Sequence, residues 1–227
     1  TQGVSSAASD VYKRQDTMLC TSGLTDDELQ RAKTVYDTMR TELMAGQYLD
    51  LLEQSRRGTT IDKARNVIKY KSAKYTIERP LHMGATIAQA SPSVQHLLST
   101  YGLAIGEAFQ LRDDLLGVFG EEKMTGKPAG DDLREGKQTI LVAFAKEHGS
   151  SATRALLDKH LGDTSLDAST IADLQQAIIE SGAVDNVEQE ISTLTQQALT
   201  ALDDALIHPT AQSALTELAI QATQRTA

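Results

Sequence analysis

The chain has 227 residues, and its 31 acidic and 22 basic side chains give a net charge of −9, which argues against general nucleic-acid binding. Its single cysteine, Cys20, excludes an internal disulfide framework and a thiolate zinc site. The longest apolar run, Ile140 to Ala145, is far too short for a membrane span, and no signal segment opens the chain. We therefore expect a cytoplasmic protein.

The first part of the sequence contains a polar segment followed by a clear helix start. Residues 1–15 are polar and have no helical period, so they are predicted to be a non-native or disordered lead-in. The domain proper is predicted over residues 16–227. Thr25 and Glu28 form a capping box, and the apolar spacing after them predicts an amphipathic helix running toward Leu52.

Further helices are predicted along the rest of the chain. A helical pattern resumes over residues 61–78, and Ser91-Pro92 marks the start of a long helix whose apolar stripe ends near Phe119. Residues 133–147 again show a helical pattern, with shorter pieces to the end of the chain. No alternating strand pattern occurs, so the chain is predicted to be all-α.

One face of the long helix carries an acidic pair. Asp113 and Asp114 lie three and four residues after Gln110, on the side nearly opposite the apolar stripe, which is typical of side chains in water. Gly106 and Gly117 share that face and predict a crevice, because each costs about 1 kcal/mol relative to alanine in a helix interior. Adjacent carboxylates without His or Cys nearby suit Mg²⁺. The residues alone leave both interpretations open.

The segment from residue 56 to 79 carries eight basic and two acidic side chains, which suits an anionic ligand or a solvated face. Helical phasing places Lys71 at the edge of the apolar stripe, where an ammonium group needs an anion. Lys63, Lys69 and Lys74 are predicted to face solvent.

A glycine-rich stretch beyond the acidic pair contains further lysines. Lys123, Lys127 and Lys137 alternate there with glycines, an arrangement that a phosphate ligand could use, although such loop lysines often bind nothing. The stretch is not a P-loop, because Gln138 stands where Ser or Thr is required.

Four segments in this order resemble the trans-type polyprenyl (isoprenyl) diphosphate synthases. They are Gly46-Gln47-Tyr48-Leu49-Asp50, Lys71-Ser72-Ala73-Lys74-Tyr75, Phe109-Gln110-Leu111-Arg112-Asp113-Asp114, and Thr125-Gly126-Lys127 through Gly136-Lys137. The resemblance covers roughly residues 24–145. It implies an isoprenoid-synthase-type helical bundle that lacks the N-terminal helices, and a prenyltransferase, resembling a bacterial farnesyl or geranylgeranyl diphosphate synthase, that joins isopentenyl diphosphate to an allylic diphosphate, as a homodimer.

The resemblance also implies roles for individual residues. Asp113 and Asp114 correspond to the second aspartate-rich motif, which holds Mg²⁺ against the allylic diphosphate, although Gly117 stands where a third aspartate is usual. The positions implied to bind the diphosphate are Lys71, Lys127, Lys137, Gln47 and Asp50. The positions implied to act catalytically are Lys71, Ser72 and Gln110, with the Ser72 hydroxyl and the Gln110 amide oxygen facing the developing cation.

The family's first aspartate-rich motif and its arginine pair have no counterpart before Gln47. Asp26-Asp27-Glu28 instead indicates a helix N-terminus, where acidic side chains complement the dipole. We therefore expect a partial synthase, corresponding to the C-terminal two-thirds, with little activity by itself. The alternatives are a non-catalytic subunit of a heteromeric synthase and an unrelated helical binding module.

Overall fold

A computed structural model describes residues 14–56, 58–122, 126, 128–203 and 206–224. Within these ranges the chain is helical and contains no strand, so the all-α prediction is confirmed. A short helix over residues 14–20 precedes the main elements. In chain order these are α1 (Asp26–Arg56), α2 (Ile61–Val67), the π-helix π1 (Ile68–Glu78), α3 (Arg79–Ile87), α4 (Pro92–Phe119), α5 (Asp131–Glu135), α6 (Ile140–His148), α7 (Ser151–His160), α8 (Ala168–Glu180), α9 (Ala183–Leu202) and α10 (Pro209–Thr223).

Helix α4 lies at the centre of the bundle. It packs against π1 on one side and α9 on the other, which is why apolar residues are buried around most of its circumference. Leu111 and Leu115 belong to a core cluster shared with α6, α8 and α9, whereas Tyr101 and Ile105 belong to a second cluster with α9 and α10. The two clusters fix α4 along its whole length. None of the helices in the described ranges has the length and apolar character needed to cross a membrane.

The two strongest predicted helix starts are confirmed. The Thr25 backbone N–H donates to Glu28 Oε2 at 2.9 Å, and the Glu28 N–H donates to Thr25 Oγ1 at 3.4 Å, which completes the capping box of α1. At the start of α4, Ser91 Oγ accepts a hydrogen bond from the Val94 N–H at 3.3 Å, and Pro92 occupies the first turn.

The predicted helix over residues 61–78 changes its winding at Ile68. From there to Glu78 the chain is a π-helix, and its buried positions Ile68, Ala73 and Glu78 are five residues apart. This wider turn directs Lys74 inward, where its side chain is 13% exposed and its Nζ lies 2.5 Å from Glu42 Oε1. The prediction that Lys74 faces solvent is therefore wrong, because it assumed 3.6 residues per turn.

Two glycines let α1 and α4 approach the backbone of π1. A Cβ atom on Gly46 would lie 2.5 Å from Lys71 N, and one on Gly106 would lie 2.5 Å from Ala73 Cα. The crevice predicted beside Gly106 is therefore absent, because Ala73 fills that space. The glycines serve instead to hold π1, and with it Lys71, against its two neighbours.

Replacing Gly46 by alanine is expected to lower the free energy of unfolding by about 1–3 kcal/mol, because α1 and π1 must separate to accept the methyl group. Gly84 is the matched control, since it lies inside α3 and a Cβ atom there meets nothing within 4 Å. Gly84→Ala should raise the free energy of unfolding by roughly 0.5–1 kcal/mol. Urea unfolding of both variants measures these changes, and equal effects would contradict the close contact at Gly46.

Candidate active site

A cleft of about 250 Å³ lies between α1, the α2–π1 segment, α4 and the connection from α5 to α6. Its lining brings together seven of the nine site residues predicted from the sequence, which are Asp50, Lys71, Ser72, Gln110, Asp113, Asp114 and Lys137. Gln138 and Thr139 also line it, and Ala64, Val67 and Ile68 form an apolar wall. Residues far apart in the chain thus meet at one place.

The other two predicted residues are not part of this lining. Gln47 lines a separate apolar groove on α1, where the side chains of Met44, Tyr48 and Leu51 are exposed. Lys127 lies outside the described residues. Gln47 and Asp50, which were both predicted to bind the diphosphate, therefore lie in different places, Gln47 in the groove and Asp50 in the cleft.

Lys71 forms an ion pair at the cleft wall. Its Nζ lies 2.5 Å from Asp50 Oδ2, and the Gln54 side-chain amide donates to Asp50 Oδ1 at 3.2 Å. Asp50 is buried, whereas the Lys71 side chain is 32% exposed. The anion that Lys71 requires is therefore a carboxylate of the protein, and the ammonium group remains within reach of a ligand.

The two adjacent aspartates of α4 differ in environment. Asp113 is half-buried at the cleft, whereas Asp114 is only 2% exposed. Asp114 Oδ1 accepts hydrogen bonds from Gln110 Nε2 and from Lys137 Nζ, each at 2.9 Å. Burial raises the pKa of Asp114, and the charge of Lys137 only partly offsets this effect. Asp114 is therefore not part of a solvated face.

The position of Lys137 depends on a break in the helix predicted over residues 133–147. Gly136 ends α5 with a φ of 73°, a left-handed conformation that favours glycine, and α6 starts only after the N-cap Thr139. Lys137 then reaches Asp114 Oδ1 at 2.9 Å and Asp132 Oδ2 at 3.1 Å. Burial alone would lower the pKa of Lys137, but these two carboxylates outweigh it and raise the pKa.

Asp132 is a site residue that the sequence did not predict. It is 8% exposed, and its carboxylate occupies the space that a side chain on Gly117 would need. The crevice predicted at Gly117 is therefore filled by Asp132, which shares Lys137 with Asp114. The only signal in the sequence is the Asp131-Asp132 pair just before the Gly136 turn.

In the part of the chain that the structure describes, the carboxylates of Asp50, Asp113 and Asp114 line the cleft together with the ammonium groups of Lys71 and Lys137, and Asp132 lies behind Lys137. Among the described residues, no group of three or more His, Cys, Asp or Glu side chains is placed to hold a metal. Mg²⁺ usually takes only one or two carboxylates and shares its remaining positions with water and phosphate. The hard oxygen atoms of Asp113 and Asp114 therefore fit a Mg²⁺ ion shared with a phosphate ligand.

Comparisons with known proteins find relatives both in sequence and in structure. The sequence model of the polyprenyl synthetase family matches residues 7–178. The geranylfarnesyl diphosphate synthase of Aeropyrum pernix is 31% identical over 179 residues, which are 78% of this chain and 54% of that protein. The (2E,6E)-farnesyl diphosphate synthase of Mycobacterium bovis is 41% identical over 115 residues, 51% of this chain and 32% of that protein.

A solved structure is also similar over most of the chain. The geranylgeranyl pyrophosphate synthase of Corynebacterium glutamicum, complexed with isoprenyl diphosphate and magnesium, has a TM-score of 0.89 and 43% identity. The match covers 93% of this chain and 60% of that one. The chain therefore belongs to the polyprenyl synthetase family and has its helical fold. It spans only 54% and 60% of the lengths of the A. pernix and C. glutamicum relatives.

Proposed function

We propose that this chain carries the allylic half of a Mg²⁺-dependent trans-prenyltransferase site, with an allylic diphosphate and isopentenyl diphosphate as substrates. The proposal rests on one observation: two lysines and two adjacent aspartates line the same cleft. Family membership supports it, as do the prenyl diphosphate synthases among its relatives.

The proposed reaction breaks the carbon–oxygen bond of the allylic diphosphate, so that pyrophosphate leaves and an allylic cation remains. The double bond of isopentenyl diphosphate attacks the cation, and a proton is then lost to the departing pyrophosphate. Mg²⁺ held by Asp113 and Asp114 would neutralise part of the negative charge on the leaving group.

The protein's own contribution to the leaving group is electrostatic. Lys71 and Lys137 supply positive charge, and each ammonium group can exchange a carboxylate partner for a phosphate oxygen. Because Asp50 and Asp114 already hold these ammonium groups in the cleft, little reorganisation is needed when the charge develops. We propose the same diphosphate-binding role for Lys127, and a place for Gln47 at the end of the site nearest the groove.

The part of the cleft that we propose faces the allylic cation contains oxygen dipoles and an apolar wall. Ser72 and Gln110 place a hydroxyl and an amide oxygen at the cleft, 2.6 Å apart. Ala64, Val67 and Ile68 cover the neighbouring wall and exclude water that would quench a cation. Homodimer formation and a cytoplasmic location are part of this proposal. Neither the described residues nor the comparisons favour a non-catalytic subunit.

Titration calorimetry with pyrophosphate tests the proposal on the wild-type chain. Saturable binding is expected with Mg²⁺, and at least about tenfold weaker binding with EDTA, because the metal must bridge two sets of negative oxygens. Sulfate is the control for simple anion attraction and should bind weakly with or without Mg²⁺. Pyrophosphate binding that is unaffected by Mg²⁺ would contradict the proposed function.

A further inference from the structure

A continuous row of hydrogen bonds joins three elements at the cleft. Ser72 Oγ of π1 donates to Gln110 Oε1 of α4 at 2.6 Å. Gln110 Nε2 donates to Asp114 Oδ1 at 2.9 Å, and Lys137 Nζ of the α5–α6 connection donates to the same oxygen at 2.9 Å. We name these four residues, Ser72, Gln110, Asp114 and Lys137, the relay.

Asp114 and Lys137 fix the direction of the hydrogen bonds in the relay. A carboxylate only accepts hydrogen bonds and an ammonium group only donates them, so Gln110 must turn its NH₂ group toward Asp114. Its carbonyl oxygen then faces Ser72 and takes the single hydroxyl proton of that residue. The lone pairs of Ser72 Oγ are thereby left for the cleft that this residue lines.

The opposite orientation would reverse the dipole at the cleft. If Gln110 rotated its amide by half a turn, its NH₂ group would donate to Ser72 Oγ. Ser72 would then direct its hydroxyl proton into the cleft, where it would repel a positive charge. The carboxylate of Asp114, which is 2% exposed and paired with Lys137, opposes this arrangement.

We propose that Asp114 and Lys137 are positioning residues that act through Gln110 to aim the lone pairs of Ser72 at the allylic cation. This step rests on the proposed function for the cation itself. It gives Asp114 a task that the more accessible Asp113 does not share.

The side-chain amide resonances of Gln110 report the relay directly in ¹H–¹⁵N spectra of the full chain, and Gln110→Ala identifies them by their loss. A proton donated to a carboxylate resonates downfield, so Asp114→Asn should move it upfield. Ser72→Ala should move the same pair of resonances and leaves the buried carboxylate of Asp114 in place. It therefore tests the relay even if Asp114→Asn fails to fold. Asp50→Asn is the control, because it removes another carboxylate of the cleft and should leave these resonances in place.

The proposed interaction of Ser72 with the allylic cation is measured by the binding of dimethylallylammonium in the presence of pyrophosphate and Mg²⁺. The ratio of its affinity to that of the neutral 3-methyl-2-butenol isolates the effect of the charge. Ser72→Ala and Asp114→Asn should each lower this ratio about tenfold, and Ser72→Thr, which keeps the hydroxyl, should retain it.

Unmoved Gln110 resonances in both Asp114→Asn and Ser72→Ala would overturn the relay. An unchanged affinity ratio in Ser72→Ala would overturn its action on the cation. If the wild type shows no Mg²⁺-dependent binding of pyrophosphate, the proposed function fails, and so does the proposed interaction of Ser72 with the allylic cation. The Gln110 amide resonances would still show whether the relay exists.

Discussion

Replacing Asp113 by alanine is expected to weaken the Mg²⁺-dependent binding of pyrophosphate about 100-fold or more. Asp113 is the half-buried carboxylate of the acidic pair and lines the cleft, so the substitution removes one of the two carboxylates proposed to hold Mg²⁺. Loss of a group that only orients a metal ligand costs about 10–100-fold in metal affinity, so loss of a ligand itself should reach or exceed the upper limit.

Calorimetry with pyrophosphate at fixed Mg²⁺ gives this affinity, and the same titration in EDTA separates the metal from direct anion binding. In EDTA the Asp113→Ala variant should bind pyrophosphate no more weakly than the wild type, because the substitution removes a negative charge. Asp173→Ala is the matched control, since Asp173 is exposed on α8, and it should leave both titrations unchanged. Equal affinities of wild type and Asp113→Ala with Mg²⁺ would remove the metal role.

The fold could be predicted wherever local chemistry decides the structure. Caps at Thr25 and Ser91 satisfy backbone groups of their own helices, so their meaning does not depend on distant contacts. The π-helix could not be predicted, because its stability comes from packing between α1 and α4 at Gly46 and Gly106. The inward position of Lys74 was missed for the same reason.

In the candidate site, too, some residues could be predicted from the sequence and others could not. Motif spacing was enough to predict the acidic pair and Lys71, which all line the cleft. Asp132 could not be predicted, because its place depends on the left-handed turn at Gly136 and on the space beside Gly117. Spacing identifies residues on one helix face, whereas only the folded chain shows which connection lies against that face.

Lys137→Met is expected to lower the free energy of unfolding by about 3–5 kcal/mol at pH 7.5. Lys137 is the cation beside the buried carboxylates of Asp114 and Asp132, and its side chain is 28% exposed. Removing one partner of such a pair leaves a buried charge without compensation, which costs far more than the pair itself contributes. Urea unfolding measures the change. Lys33→Met is the control, because Lys33 and Asp37 form an exposed pair on α1, and it should stay within about 0.5 kcal/mol of the wild type.

The loss in Lys137→Met should shrink as the pH falls from 7.5 to 5. Burial already raises the pKa of Asp114, and without the ammonium group that pKa rises further. The folded variant then binds a proton that the unfolded chain, with an ordinary aspartate pKa, does not bind, so its stability increases as the pH falls. In the wild type Lys137 stays charged over this whole range and opposes the rise in the pKa of Asp114, so the wild type gains less stability than the variant as the pH falls. A difference between the two proteins that stays constant from pH 7.5 to pH 5 would show that lost packing, and not an uncompensated carboxylate, destabilises the variant.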